Sequence, residues 1–231
     1  MIGMSRPPSC EVHLASDVIS DRLHRRFIEL GFVRDRFVGG TTGVVHPCHY
    51  TADPASTDAM EALWLECVAL LADTEADEFA GYGEAEITAA KHRIEIPYQP
   101  YDPNVRFPYG RFSYFACPLD EFKKFDIHIT ADVATIDPRL QRFLEVDCCF
   151  HYVEIDKPDG RSVRVYTIQP FGPDISAEIW QPLVEFFTRC GGFEGKIKLE
   201  VCRFFERFPK DMACCPIIRT VRPSEDLALT G

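Results

Sequence analysis

Two short segments of the chain combine a histidine with a threonine in a pattern suited to acid–base chemistry. The segments are His49-Tyr50-Thr51-Ala52 and His128-Ile129-Thr130-Ala131. Because side chains alternate between the two faces of a strand, each histidine shares a face with the threonine two positions later. An imidazole can act as a general base or a general acid near neutral pH. The pattern therefore indicates a candidate catalytic site formed by His49, Thr51, His128 and Thr130.

The two segments, with 79 positions between their histidines (residues 49 and 128), resemble the motif pair of the 2H phosphoesterase superfamily. The resemblance implies a bilobal α+β fold in which two histidines face each other across a cleft. It also implies a phosphodiesterase that needs no metal or other cofactor and acts on a 2′,3′-cyclic or 2′–5′ phosphodiester of a small nucleotide or RNA end. In such a site His49 and His128 would exchange protons, and Thr51 and Thr130 would hold the phosphate through their hydroxyl groups.

An internal repeat indicates which elements position these residues. His49–Trp64 aligns without gaps on Val165–Trp180, and the only two tryptophans of the chain fall on equivalent positions. Two further stretches follow in the same order: Glu11–Leu14 resembles Asp126–Ile129, and Ile87–Ile96 aligns on Ile197–Glu206. The alignment pairs His128 with His13 rather than with His49. The chain is therefore predicted to contain two copies of one unit, at residues 9–98 and 124–209.

Hydrophobic periodicity and turn signals predict the same order of elements in both copies: strand, helix, strand, strand, helix, strand. The predicted strands are Glu11–Ala15, Val44–Ala52, Ala85–Ile96, Phe125–Ala131, Phe150–Asp156, Ser162–Gln169 and Lys196–Phe205. The predicted helices are Asp17–Leu30, Ala59–Ala72, Pro138–Val146 and Ala177–Cys190. This order is the ferredoxin-like arrangement. We therefore predict the α+β fold class, with an internal duplication of two βαββαβ ferredoxin-like units that form a bilobal structure.

Strand periodicity adds substrate-binding candidates on the sheet face that the helices leave uncovered. His13 is expected beside His49 and Thr51, and Thr167 is expected beside His128. Between the units, residues 99–123 are rich in proline and aromatic residues and contain Arg106 and Arg111. This stretch is either a packed connector over one sheet edge or a lid that offers arginine and aromatic groups to a nucleobase or phosphate. Residues 210–231 are expected to form a C-terminal tail.

Two other functions remain open at this point. A two-histidine, one-carboxylate metal site is possible, made by His13, His128 and Glu200 or by His49 with Glu86, and it would indicate a metal-dependent enzyme. Alternatively, tandem ferredoxin-like units can serve as a non-catalytic module that binds a ligand or a protein. A metal assay separates the first of these from the metal-free phosphodiesterase.

Composition and charge restrict the partners. The 231 residues carry 25 lysines and arginines against 36 aspartates and glutamates, a formal net charge of −11. This charge argues against duplex DNA or long RNA, so the expected partner is a small nucleotide or RNA end, with the chain a monomer or homodimer. No apolar run reaches the roughly 20 residues of a membrane span, and no secretory signal is visible. A cytoplasmic location is therefore expected, with buried, reduced cysteines.

Overall fold

The structure, a computed structural model, describes residues 8–41, 46–109, 125–149, 151–157, 159–168 and 172–209, with the side chains of 172–177 excepted. The strands are β1 (Ser9–Ile19), β2 (Val33–Arg34), β3 (Arg36–Gly40), β4 (Cys48–Ala52), β5 (Phe79–Thr88), β6 (Arg93–Ile96), β7 (Phe125–Asp132), β8 (His151–Asp156), β9 (Ser162–Ile168) and β10 (Gly195–Phe208). The helices are α1 (Asp21–Glu29), α2 (Thr57–Leu71), α3 (Pro138–Phe143) and α4 (Gly172–Cys190). A 3₁₀ turn covers Ala90–His92, and a π-helical turn covers Leu144–Cys148.

The ten described strands form one sheet. Its order is β2-β4-β1-β5-β10-β7-β9-β8-β3, with β6 also paired to β10. Each pairing in this order is antiparallel. β2 and β3 lie at opposite ends of the order, yet Asp35 alone separates them in the chain. The sheet is therefore nearly closed and barrel-like.

The prediction of two βαββαβ ferredoxin-like units in a bilobal structure is wrong. β5 pairs with β10, and β3 pairs with β8, so strands from both halves of the chain enter a single antiparallel sheet. The physical reason lies at the strand edges. Two separate sheets would each expose unpaired N–H and C=O groups, whereas joining the edges satisfies them. Alternation along a strand shows which side chains share a face, but it carries no information about which edges meet.

The helices cover one face of this sheet and bury its apolar side chains. Three of them begin at a polar cap, because Ser20, Ser56 and Asp137 each accept a hydrogen bond from a backbone N–H of the first turn. Two buried clusters result. One contains Leu14, Phe27, Tyr50 and Trp64, and the other contains Ile129, Leu140, Tyr166 and Phe187. Because the apolar residues occupy alternate positions, the opposite face of the strands is left with polar side chains. We call this the inner face.

Several individual elements match the sequence-based expectations, and one differs in a way that matters. The predicted helix Ala59–Ala72 is confirmed as α2, and the predicted hairpin is confirmed as β8 and β9. The predicted strand Ala85–Ile96 is wrong, because β5 ends at Thr88 and a 3₁₀ turn follows. His92 lies in this turn, and its ring contacts Trp180.

Gly81 permits the close approach of β1 and β5, the two strands that carry the first half of the inner face. A Cβ atom at this position would lie 1.9 Å from the Ala15 carbonyl oxygen and 2.7 Å from Ser16 Cα. Gly81→Ala is therefore expected to lower the free energy of unfolding by about 3 kcal/mol or more, measured by urea denaturation. The control is Gly39→Ala, where the nearest atom, Glu154 Cβ, lies 3.5 Å away. Equal losses in the two variants would contradict this account.

Candidate functional site

Charged side chains meet on the inner face of the four central strands. β1 contributes Glu11 and His13, β5 contributes Glu84 and Glu86, β10 contributes Lys196, Lys198 and Glu200, and β7 contributes Asp126 and His128. Most of these carboxylates are buried, and Glu86, Asp126 and Glu200 are only 2–3% exposed. Burial of so many ionised groups is costly unless each is paired or coordinated. The inner face is therefore the strongest candidate for a functional site.

The two halves of the chain place similar residues at matching register positions. In the first half, His13 lies opposite Thr51 and Glu11 lies opposite Glu86. In the second half, His128 lies opposite Thr167 and Asp126 lies opposite Glu200. In the sheet, Glu86 thus corresponds to Glu200. The sequence alignment, which places Ile87 on Ile197, pairs Glu86 with Lys196 instead and therefore differs from the structural match by four positions. The counterpart of His128 is His13, not His49.

Lys198 neutralises part of the buried negative charge. Its Nζ donates to Glu11 Oε1 at 2.8 Å and to Glu200 Oε1 at 2.5 Å. Burial alone would lower the pKa of Lys198, but the adjacent Glu200 and Glu11 carboxylates raise it above its usual value. Burial likewise tends to raise the pKa of Glu11, yet the His13 hydrogen bond and the Lys198 charge hold that pKa well below its usual range. The Glu11 carboxylate is therefore ionised at neutral pH.

Three potential metal ligands converge where the two halves meet. Ligand atoms of Glu86, His128 and Glu200 all lie within 4.8 Å of one another. His128 Nε2 lies 3.3 Å from Glu200 Oε2, and its Nδ1 lies 3.3 Å from Thr167 Oγ1. When Nδ1–H donates to the threonine, the Nε2 lone pair is available to an ion. Imidazole and carboxylate ligands in this combination suit a divalent transition metal.

His13 lies beside this cluster and carries a positive charge. Burial lowers its pKa, but the Glu11 hydrogen bond and the nearby Glu86 charge outweigh burial and raise the pKa to about 9. Its Nε2 is 3.5 Å from Glu11 Oε2 and 3.8 Å from Glu86 Oε2. At neutral pH His13 is therefore an imidazolium next to the Glu86–His128–Glu200 cluster.

The raised pKa of His13 makes stability depend on pH. Relative to an unfolded value near 6.5, a folded pKa of about 9 contributes about 3 kcal/mol. This contribution is fully present below about pH 6.5 and is lost as pH rises through 9. We expect His13→Gln to flatten the decline in unfolding free energy between pH 6.5 and 10. His92→Gln is the control, because the pKa of His92 is lowered by burial and Lys91, so this group is neutral across that range. An unchanged decline in His13→Gln would refute the assignment.

Asp35, at the junction of β2 and β3, organises a second group of residues. Its Oδ2 accepts hydrogen bonds from His49 Nδ1 at 2.6 Å and from Thr51 Oγ1 at 2.7 Å. Burial tends to raise the pKa of Asp35, but the His49 hydrogen bond and charge outweigh it, so the pKa is lowered and the side chain is a carboxylate. Because Thr51 gives its only proton to Asp35, its oxygen must accept from His13 Nδ1, 3.2 Å away. A directed chain of hydrogen bonds thus runs from His13 through Thr51 to Asp35, which also accepts from His49.

The structure groups the predicted catalytic residues in a different way. His49 and Thr51 belong with His13 and Asp35, and the His13 and His49 ring centroids are 5.4 Å apart. His128 belongs with Thr167, Glu86 and Glu200. Thr130, which is on the same strand as His128, lies opposite Lys196 of β10. Of the predicted metal ligands His13, His128 and Glu200, the last two lie together with Glu86, and His13 lies beside this group.

The predicted connector ligand Arg106 is not brought to the inner face. Arg106 is exposed, and the neighbouring Phe107 packs on Phe143 and Phe186, on the helix-covered side of the sheet. Arg111 lies outside the described residues. The expectation of buried cysteines holds at Cys148 and Cys149, which are 1% and 3% exposed, although Cys148 lies in the π-helical turn rather than in a strand.

Sequence reasoning missed Asp35 and the open pocket around it. The pocket has a volume of about 460 Å³ and is lined by Arg34, Asp35, Arg36, Phe37 and Pro47. We call it the rim pocket. The sequence offered one signal for this site, the tripeptide Arg34-Asp35-Arg36, in which opposite charges alternate. Hydrophobic periodicity assigned no helix or strand to this stretch. Through Asp35 the rim pocket is hydrogen-bonded to His49 and Thr51.

Among the described residues, no helix combines the length and the apolar character needed to cross a lipid bilayer.

No protein-family model matches the chain, and no curated protein and no solved structure is significantly similar to it. The similarity to 2H phosphoesterases therefore stays a prediction.

Proposed function

We propose that this protein is a divalent-metal-dependent enzyme that hydrolyses an anionic small molecule at the inner face of its sheet. The observation that carries the proposal is the convergence of Glu86, His128 and Glu200 within 4.8 Å of one another. Two ionised buried carboxylates at this distance repel each other, and a cation bound between them would relieve that repulsion. A divalent ion would also supply a nucleophilic hydroxide at neutral pH.

An excess of acidic side chains on the inner face supports a bound cation. The four central strands contribute Glu11, Glu84, Glu86, Asp126 and Glu200 there, against Lys196, Lys198 and His13. A cation at the Glu86–His128–Glu200 cluster would offset part of this acidic excess.

His13 is the proton donor best placed for this chemistry. It is an imidazolium whose Nε2 lies 3.8 Å from Glu86 Oε2, adjacent to the proposed metal ligands. In the proposed hydrolysis, the hydroxyl group of water bonds to the electrophilic centre and the bond to the leaving group breaks. The leaving group takes a proton from His13 Nε2, the proton lost by water passes to the solvent, and His13 is reprotonated from the solvent, while the Thr51 and Asp35 hydrogen bonds hold the His13 ring in position.

Binding of Mn²⁺ tests the proposal directly. We expect chelator-stripped protein to bind Mn²⁺, followed by electron paramagnetic resonance, and Glu86→Gln to weaken this binding by at least about tenfold. Glu66→Gln on α2 is the matched control, because Glu66 is 52% exposed and far from the cluster in the fold. Mn²⁺ should also restore hydrolysis of bis(p-nitrophenyl) phosphate to the stripped enzyme. Absence of Mn²⁺ binding, or equal binding by both variants, would overturn the proposal.

A second candidate is the metal-free phosphodiesterase that uses His49 and His128 as acid and base. The hydrogen bond from His49 Nδ1 to Asp35 favours it, because this bond leaves Nε2 to exchange a proton. The two candidates respond differently to a chelator. Turnover of 2′,3′-cyclic AMP in excess EDTA, lost in both His49→Ala and His128→Ala, would support the metal-free enzyme and exclude the metal-dependent one.

A further inference from the structure

The geometry points to the rim pocket as the site that anchors a phosphate group of an organic substrate. This inference deepens the proposed function, on which it rests, by naming the chemical class of the substrate. The anchored phosphate would be remote from the bond that is hydrolysed at the inner face.

The rim pocket concentrates positive charge on an otherwise acidic protein. Arg34 and Arg36 both line it, whereas the whole chain carries a net charge of −11 and the inner face is rich in carboxylates. An anionic substrate is repelled by such a surface except where cations gather. Guanidinium groups match phosphate oxygens with paired N–H donors, and the two arginines outweigh the single Asp35 carboxylate in the lining, so the pocket keeps a net positive charge.

Among the described residues, Arg34 and Arg36 make only weak contacts. Arg34 Nη2 lies 3.7 Å from Cys48 Sγ, and its guanidinium carbon is 6.0 Å from the centre of the Tyr50 ring. Arg36 Nε is 3.6 Å from Asp156 Oδ2, and its side chain is 80% exposed, so this pair contributes little. Both side chains are therefore available to an incoming anion.

The remaining lining indicates an organic phosphate rather than the free ion. Phe37 and Pro47 add apolar surface to the pocket, and the Phe37 ring centroid is 5.2 Å from that of His49. An aromatic or aliphatic group attached to the phosphate can pack on this surface. From there Asp35, Thr51 and His13 form a continuous hydrogen-bonded path toward the Glu86–His128–Glu200 cluster.

Phenyl phosphate serves as the probe, with the chelator-stripped protein so that a metal cannot hold it. We expect saturable binding by calorimetry, weakened at least tenfold in the double variant Arg34→Gln/Arg36→Gln. Arg161→Gln, an exposed arginine paired with Asp159 in the β8–β9 turn, is the control and should bind as the wild type does. Inorganic phosphate should bind more weakly than phenyl phosphate, since it lacks the apolar group.

The outcomes separate this inference from the proposed function. Wild-type protein that shows no saturable binding, or a double variant that binds phenyl phosphate like the wild type, would overturn the rim pocket as a phosphate anchor. The same double variant should bind Mn²⁺ with wild-type affinity, because neither arginine contacts the Glu86–His128–Glu200 cluster. Loss of Mn²⁺ binding in Glu86→Gln with phenyl phosphate binding retained would support two separate sites.

Discussion

Replacement of Lys198 by methionine is expected to lower the free energy of unfolding by about 3–5 kcal/mol at neutral pH. The Lys198 ammonium bridges Glu11 and Glu200, and its side chain is only 7% exposed. Methionine keeps the volume of the aliphatic chain but removes the charge, so two buried carboxylates lose their shared cation. Urea denaturation in the presence of EDTA measures the effect. Added Mn²⁺ should recover part of the loss, because the ion replaces the missing positive charge.

Lys196→Met is the matched control for this experiment. Lys196 lies two positions earlier on β10 and shares the inner face with Lys198. Its pKa is lowered, because burial and the neighbouring Lys198 and Arg93 charges disfavour its ionised form. Removal of this charge should therefore cost much less than removal of Lys198. Equal destabilisation of the two variants would show that the Lys198 bridge has no special role.

The second large effect is expected on catalysis. His13→Gln should reduce kcat by about 10²–10⁴-fold for a phosphodiester with an alkoxide leaving group, because that group needs a proton donor, and much less for bis(p-nitrophenyl) phosphate, whose p-nitrophenolate leaves without one. The affinity for Mn²⁺ should stay within a few-fold of the wild type. In wild-type enzyme the rate should fall on the alkaline side with an apparent pKa at or below about 9, since a bound cation offsets the Glu86 charge that helps to raise the pKa of His13. This alkaline limb should disappear in the variant.

Asp35→Asn extends the same experiment to a positioning residue. An amide accepts fewer hydrogen bonds than a carboxylate, so the directed chain from His13 through Thr51 is disturbed while His13 itself remains. We expect a smaller loss of kcat than in His13→Gln, together with a changed pH profile. The control is Asp17→Asn, because Asp17 Oδ1 holds His46 Nδ1 at 2.7 Å in a similar carboxylate–imidazole pair outside the His13–Thr51–Asp35 chain. Equal kinetic effects of the two asparagine variants would refute the role of Asp35.

Strand periodicity was sufficient to place several site residues on a common face. The two-residue alternation predicts that His13 shares a face with Thr51, and that His128 shares one with Thr167. The structure shows a contact within each pair, at 3.2 Å and 3.3 Å. These relations are local to a strand and its neighbour within one half of the chain, which is the range over which a hydrophobic pattern carries information.

The remaining features depend on pairings between the two halves, which no local pattern specifies. Glu86 meets Glu200 only because β5 pairs with β10, and that edge contact joins residues more than 100 positions apart. Asp35 enters the site only because β2 and β3 pair with strands at opposite ends of the sheet. A short, polar stretch such as this one has no period that would reveal it as strand. The fold class was missed for the same reason.

The position of Asp35 between β2 and β3 has a consequence for how the molecule unfolds. Within the eight residues Val33–Gly40, the chain pairs first with β4, which packs on one hydrophobic cluster, and then with β8, which packs on the other. Neither half of the chain can unfold without breaking backbone hydrogen bonds that it makes with the other half. We therefore expect one cooperative transition rather than two, with amide protons of both clusters exchanging at a common rate under conditions where global opening dominates.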